Sequence, residues 1–251
     1  MTRNQLFPRP IAHRGLHDRE RGIIENTASA FEAAIEGNFA IECDVQLSRD
    51  GVPYIFHDDE LDRLVGRPGR SDAIAIEEIT ALPLLGSATG DRPQRFEAFL
   101  DQIAGRTQLQ IELKQQATPQ GTEQLAAAVT RALATYRGKQ VIESFDPKLL
   151  IAMRRAGYTG KLGIITYSWR IDAWDRQIPA HQKFVLRHLL HWPLTRFAFI
   201  SCHEKSLDLP AVRFCRALGL PVTSWTITSL EQARTVLARA EQIVFEGFEP
   251  D

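Results

Sequence analysis

Three acidic residues, Glu42, Asp44 and Glu112, lie in short apolar runs that also carry or adjoin two fixed cations, Arg14 and Lys114, and two histidines, His13 and His57. Glu42 and Asp44 stand two apart in IECDVQL, so on a strand their carboxylates project from one face while Cys43 packs behind it. Two anions on one face need a cation. With Glu112 added, and neither a cysteine nor a histidine cluster among the ligands, the set is oxygen-rich and suits a hard ion, Mg2+ or Ca2+. Arg14 and Lys114 match a phosphate better than a neutral group. Two imidazoles can then remove a proton on one side of a phosphodiester and deliver one on the other, while the cations offset charge on the phosphoryl oxygens.

Local elements must bring these groups together. The stretch from Ile41 to Asp59 predicts a hairpin: an apolar run reaches Arg49-Asp50-Gly51, where Asp-Gly is a strong turn signal, and returns through Val52, Tyr54, Ile55 and Phe56. Asp44 precedes Asp50 by six residues and His57 follows Gly51 by six, so a symmetric hairpin sets the imidazole beside the carboxylates. An amphipathic hairpin with a solvated polar face shares this pattern. Pro10-Ile11-Ala12 predicts a strand ending in His13-Arg14-Gly15, where glycine lets the backbone turn and both side chains reach one cleft. Glu25-Asn26-Thr27 precedes a helical stripe of Ala30, Phe31, Ala34 and Ile35. Asn26 or Thr27 would cap that helix, and capping competes evenly with a substrate-contacting role for Glu25 and Asn26.

Residues 60–94 lose periodicity and gather glycine and proline, as a lid or binding loop does, with one short helix suggested by Ile74, Ile76, Ile79 and Leu82. Phe96, Phe99, Leu100 and Ile103 predict a helix leading to the alternating strand QLQIELK, in which Glu112 and Lys114 share a face. Strand and helix then alternate to the end, apart from a less regular segment between Trp169 and Trp192. With the hairpin arm set aside, strands near 10, 41, 109, 140, 162, 197, 222 and 243 predict a (β/α)8 barrel. Chemistry in such barrels collects at the carboxyl ends of the strands, where His13, Arg14, Glu42, Asp44, Glu112, Lys114 and Trp225 all fall.

Composition removes several classes of function. The 251 residues are 44% hydrophobic and 24% charged with a net charge of -1, so bulk attraction to nucleic acid or an anionic membrane is not expected. No apolar run approaches a membrane span and the N-terminal residues lack a signal-peptide core, which predicts a cytoplasmic protein without stable membrane insertion. Cys43, Cys202 and Cys215 are odd in number and scattered, unlike a disulfide framework or a thiolate zinc site.

In order along the chain, HRG, ENT, E-x-D-V followed by DG and HD, IELK, SFDP at 144–147 and WTI at 225–227 resemble the glycerophosphodiester phosphodiesterase family over nearly the whole length. The resemblance implies a single TIM-barrel domain over 1–251, with a hairpin extension after the second strand and a short insertion at 60–94. It implies metal-dependent hydrolysis of glycerophosphodiesters to glycerol 3-phosphate and an alcohol, with lysophospholipids, sugar phosphodiesters or non-catalytic phosphate binding as alternatives. By the same resemblance His13 and His57 are the acid/base pair and Glu42, Asp44 and Glu112 the metal ligands. Arg14 and Lys114 then bind phosphate, Glu25 and Asn26 support the site, and Trp225 walls the glycerol rather than filling the core. The chain departs from the family at its last strand. The family commonly has Thr-Asp there, whereas residues 243–248 read IVFEGF, leaving Glu246 to replace that acid or serve another purpose. Glu143 is a further acid near the barrel mouth.

Overall fold

The computed structural model describes residues 6–170 and 178–250. Within them the strands are β1 (Ile11–Ala12), β2 (Ala40–Leu47), β3 (Pro53–Ile55), β4 (Leu109–Leu113), β5 (Gln140–Ser144), β6 (Lys161–Thr166), β7 (Phe199–His203), β8 (Val222–Ile227) and β9 (Gln242–Phe245). They form one sheet in the order β1-β9-β8-β7-β6-β5-β4-β2-β3, and a further β1–β2 pairing closes it. Only β3 runs antiparallel, as an extension paired to β2. The remaining strands make the closed parallel barrel of a TIM fold. Each strand expected from the sequence is present within a few residues of its expected place.

Alternation along the strands builds two separate cores. The outward residues Ile41, Cys43, Val45, Leu109, Ile111 and Leu113 pack under helices α1 (Ala28–Glu36), α4 (Phe96–Ile103) and α5 (Pro119–Thr135), which contribute Phe31, Phe99 and Val129. Inside the barrel, Ile11, Ala40, Val141, Phe199 and Val244 form an apolar floor closed by Phe7, whose ring meets Phe199 edge-on at 5.1 Å. Phe199 also explains a glycine: a Cβ on Gly163 would lie 2.2 Å from its ring. Above this floor the inward positions turn polar.

The insertion has more structure than its composition suggested. It contains α2 (Asp62–Val65) and α3 (Ile76–Ile79), and Leu61, Leu64, Ile74, Ile76, Ile79 and Leu84 pack with Ile24, Tyr54 and Phe56 into an apolar cluster of their own. Further helices span Pro147–Arg155 (α6), Ala180–Arg187, Trp192–Thr195, Pro210–Ala217 and Leu230–Leu237. The segment expected to be irregular, Trp169 to Trp192, lies partly outside the described residues; Ala180–Arg187 within it is helical.

One expectation needs correction. A symmetric two-residue turn would pair Asp44 with His57, but the register is Val45↔Ile55 and Leu47↔Pro53, which sets Phe56 against Asp44. Three residues, Arg49, Asp50 and Gly51, make the turn: Ser48 N–H donates to the Val52 carbonyl at 3.0 Å and Gly51 N–H to the Ser48 carbonyl at 2.9 Å. Gly51 occupies the left-handed region at φ 81 that this turn requires. The extra residue moves His57 one position beyond Asp44.

Candidate active site

The mouth of the barrel collects the charged residues singled out above. Glu42, Asp44 and Glu112 each offer a carboxylate oxygen, and these oxygens lie within 4.8 Å of one another. Glu42 and Asp44 are buried, and Glu112 comes from the neighbouring strand at the level of Asp44. Lys114, just past β4, sets its Nζ 3.0 Å from Glu112 Oε1 and 3.4 Å from Asp44 Oδ1. Burial raises the Glu42 pKa well above the usual carboxylate range, and the like charges of Asp44 and Glu112 raise it further. Asp44 is pulled the other way: burial opposes its charge, but Lys114, His57, Arg14 and a hydrogen bond from Asn26 hold it below that range. Ionised together, the three acids would set three negative charges against the two positive charges of Lys114 and Arg14, and their all-oxygen donor set fits a hard divalent cation.

Backbone geometry delivers Arg14 to the same place. Arg14 and Gly15 both have positive φ, 56 and 80, so the chain turns sharply at the end of β1. A Cβ on Gly15 would collide with Ala30 at 2.9 Å, which leaves glycine as the residue that fits. Through this turn the Arg14 N–H donates to Glu42 Oε2 at 2.9 Å, its Nη1 donates to Glu25 Oε1 at 2.7 Å, and its Nε lies 3.5 Å from Asp44 Oδ2. The competition between Asn26 and Thr27 resolves cleanly. Thr27 caps α1, its hydroxyl accepting from Ala30 N–H, which frees Asn26 to donate from Nδ2 to Asp44 Oδ2 at 2.8 Å. Glu25 makes no cap; it pairs with Arg14 and its pKa falls to about 2, because bonds from Arg63 and Arg14 outweigh its burial.

Both histidines have a carboxylate at Nδ1. Glu246 Oε2 lies 2.7 Å from His13 Nδ1, with His17 Nε2 3.7 Å from the same oxygen, and Asp58 Oδ1 lies 2.7 Å from His57 Nδ1. A Nδ1–H donated to a carboxylate leaves Nε2 as the nitrogen with a free lone pair. Burial lowers the His13 pKa, opposed by the bond to Glu246. The Glu246 side chain therefore serves His13. Asp58 is the neighbour that a merely structural reading of His57, as a hairpin-end histidine bonded to Asp58 or Asp59, also points to, and Gln46 fixes the His57-Asp58 dipeptide by donating to its two carbonyls at 3.1 and 2.8 Å.

Opposite the charged strands the mouth is aromatic. Trp225 is half-buried, with its ring edge-on to Phe145 at 5.6 Å and to His203 at 5.0 Å. Tyr167 continues this wall beside Phe145 and stacks on Trp169 at 4.3 Å.

Beside Glu112, in register on the neighbouring strand β5, Glu143 is 3% exposed, accepts a hydrogen bond from Gln110 Nε2 at 2.9 Å, and has its pKa pushed up to about 8, chiefly by burial. A folded pKa above the unfolded value means that the folded state holds the extra proton, so stability falls as pH rises through this window. Each pKa unit is worth about 1.4 kcal/mol. Glu143→Gln, which cannot ionise, should therefore be more stable than the wild type in chelator, by a margin that grows from pH 5 to pH 8 in thermal melts. A constant margin would show that Glu143 does not titrate there.

Comparison with known proteins identifies the family. The model of the glycerophosphoryl diester phosphodiesterase family matches residues 13–244. The Bacillus subtilis protein YhdW is 35% identical over 234 residues, covering 91% of this chain and 89% of its own. A glycerophosphodiester phosphodiesterase of Caldanaerobacter subterraneus is 29% identical over 237 residues, covering 90% and 88%. Among solved structures, an Oleispira antarctica phosphodiesterase in complex with the product sn-glycerol-3-phosphate superposes with a TM-score of 0.78 at 22% identity, over 99% of this chain and 96% of that one. With the family model spanning nearly the whole barrel and its mouth, the chain belongs to the glycerophosphoryl diester phosphodiesterase family.

Proposed function

We propose that this chain, acting as one catalytic domain, hydrolyses glycerophosphodiesters to glycerol 3-phosphate and an alcohol. The observation that carries this is the meeting of three carboxylate oxygens within 4.8 Å of one another with Lys114 and Arg14 at one barrel mouth. Glu42, Asp44 and Glu112 would hold a divalent cation, Mg2+ or Ca2+, which when bound supplies positive charge against the phosphoryl oxygens. Arg14 and Lys114 add fixed charge to hold the phosphate, and Asn26 and Glu25 keep Asp44 and Arg14 in place. His13 and His57, each held by a carboxylate at Nδ1, present Nε2 for proton transfer. One removes a proton from the attacking oxygen and the other delivers one to the leaving alcohol.

Trp225 and Phe145 form the apolar wall against which a glycerol backbone rests. Trp225→Ala should raise KM for glycerol-bearing diesters while affecting a generic diester such as bis-nitrophenyl phosphate less, with little change in melting temperature. A core tryptophan would instead cost about 3–5 kcal/mol of stability and impair both substrates alike.

Among the described residues no helix is long and apolar enough to cross a membrane. The three cysteines are unpaired, with Cys43 and Cys202 buried, which suits a reducing compartment and a cytoplasmic enzyme. The direct test is release of glycerol 3-phosphate from a panel of glycerophosphodiesters by the purified protein, with chelator and after Mg2+ or Ca2+ is restored. Absence of turnover on every glycerophosphodiester in either metal would reject the assignment, and turnover only on lysophospholipids or sugar phosphodiesters would redirect it.

A further inference from the structure

Arg63 lies on α2, within a stretch of sequence that offers no periodic pattern, yet its guanidinium meets two carboxylates at once. Nε and Nη2 donate to Asp58 Oδ2 and Oδ1 at 2.7 and 2.9 Å. Nη1 and Nη2 donate to Glu25 Oε2 and Oε1 at 2.6 and 2.8 Å. Both contacts are two-point forks, a geometry that a lysine ammonium cannot reproduce.

The two carboxylates are the partners of the groups nearest the chemistry. Asp58 Oδ1 lies 2.7 Å from His57 Nδ1, and Glu25 Oε1 accepts from Arg14 Nη1 at 2.7 Å. A single line of contacts therefore runs from His57 through Asp58, Arg63 and Glu25 to Arg14. The apolar side of the same helix is fixed independently: Leu61 and Leu64 pack in the insertion cluster with Phe56 and Ile24, the residues just before His57 and Glu25. Packing sets where α2 sits, and Arg63 uses that position to hold both carboxylates. Together with Arg14 it outweighs the burial that would otherwise favour neutral Glu25.

We propose that Arg63 is a positioning residue for the reaction: by clamping Asp58 and Glu25 it orients the His57 imidazole and the Arg14 guanidinium together, and it makes the inserted segment part of the active site. The proposal rests on the roles given to His57 and Arg14 above. As an ion pair alone it would matter little, because the Arg63 side chain is 42% exposed and solvent screens such pairs.

The test compares Arg63→Gln and Arg63→Lys with Arg67→Ala, which removes a half-exposed pair with Glu78 on the same insertion. Turnover of a glycerophosphodiester, melting temperature and the low-field Nδ1 proton of His57 by NMR are measured for each. Both Arg63 variants should lose ~10- to 100-fold in kcat, as supporting partners of active-site groups do. Lysine should rescue little, and Arg67→Ala should behave as wild type. Asp58→Asn should show a similar loss that does not add to that of Arg63→Gln, since both break one line of contacts. Wild-type kcat in Arg63→Gln, whether or not its melting temperature falls, would overturn the proposal and leave Arg63 a tether. Full additivity with Asp58→Asn would do the same. Should the wild type hydrolyse no glycerophosphodiester, the proposed function fails while the clamp remains testable: the Nδ1 proton should be sharp in the wild type and lost in Arg63→Gln, and its persistence rejects the clamp.

Discussion

Glu112→Gln, Asp44→Asn and Glu42→Gln should each lower kcat/KM by ~10³-fold or more and weaken Mg2+ or Ca2+ binding measured by calorimetry. A hard ion held by three protein carboxylates loses a third of its anionic ligands in each variant. Loss of several kcal/mol of charge stabilisation at about 1.4 kcal/mol per tenfold in rate reaches that size. Stability in chelator separates the three further. Glu42 has its folded pKa raised, by burial and then by Asp44 and Glu112, so its ionised form opposes folding and Glu42→Gln should melt higher at neutral pH. Asp44 has its folded pKa lowered despite burial, so its contribution is present above the unfolded carboxylate pKa and disappears as pH falls through the folded one. Asp44→Asn should accordingly melt lower at neutral pH, by a margin that shrinks in acid. Unchanged metal affinity in all three variants would remove the metal assignment.

His13→Ala and His57→Ala should each reduce kcat by ~10²- to 10⁴-fold, the usual worth of a positioned acid or base, with the fold retained by circular dichroism. Their Nδ1 partners predict how the loss is distributed. Glu246→Gln keeps a group able to accept from His13 Nδ1–H but removes the charge, so it should retain more activity than His13→Ala. The simpler account of His57 is an imidazole that merely bonds Asp58 at the end of a hairpin. Wild-type turnover in His57→Ala would favour that account and end its catalytic role.

The parts of the site carried on regular elements were readable in the sequence. Glu42, Cys43 and Asp44 alternate in a strand, and the physics of a pleat puts the acids inside the barrel and the thiol in the outer core. Glu112 and Lys114 followed from the same period. Short-range choices were less legible. Thr27 rather than Asn26 caps α1, and the three-residue turn at Arg49-Asp50-Gly51 displaces His57 by one place, because both outcomes depend on hydrogen bonds whose partners are set by packing. Arg63 left no trace at all. It lies in a stretch without period, and its partners Glu25 and Asp58 are 38 and 5 residues away. Glu246 stood out only as a departure from a familiar pattern, and its use became visible through a contact spanning 233 positions.

That long span has a consequence for how the protein is made. β1 is two residues long and sits between β2 and β9, paired to Ala40 and Ile41 on one side and to Val244 and Phe245 on the other. On the ribosome, β1 can meet β2 early, but its second neighbour and the carboxylate that holds His13 emerge only after some 230 further residues have been translated. Until then any sheet on the nascent chain is open, with β1 at one edge and the most recently made strand, up to β8, at the other, the state in which sheets associate with other chains. Closing the barrel and seating His13 on Glu246 are therefore one late event: the chain cannot hold His13 in place before its sheet has lost its exposed edges.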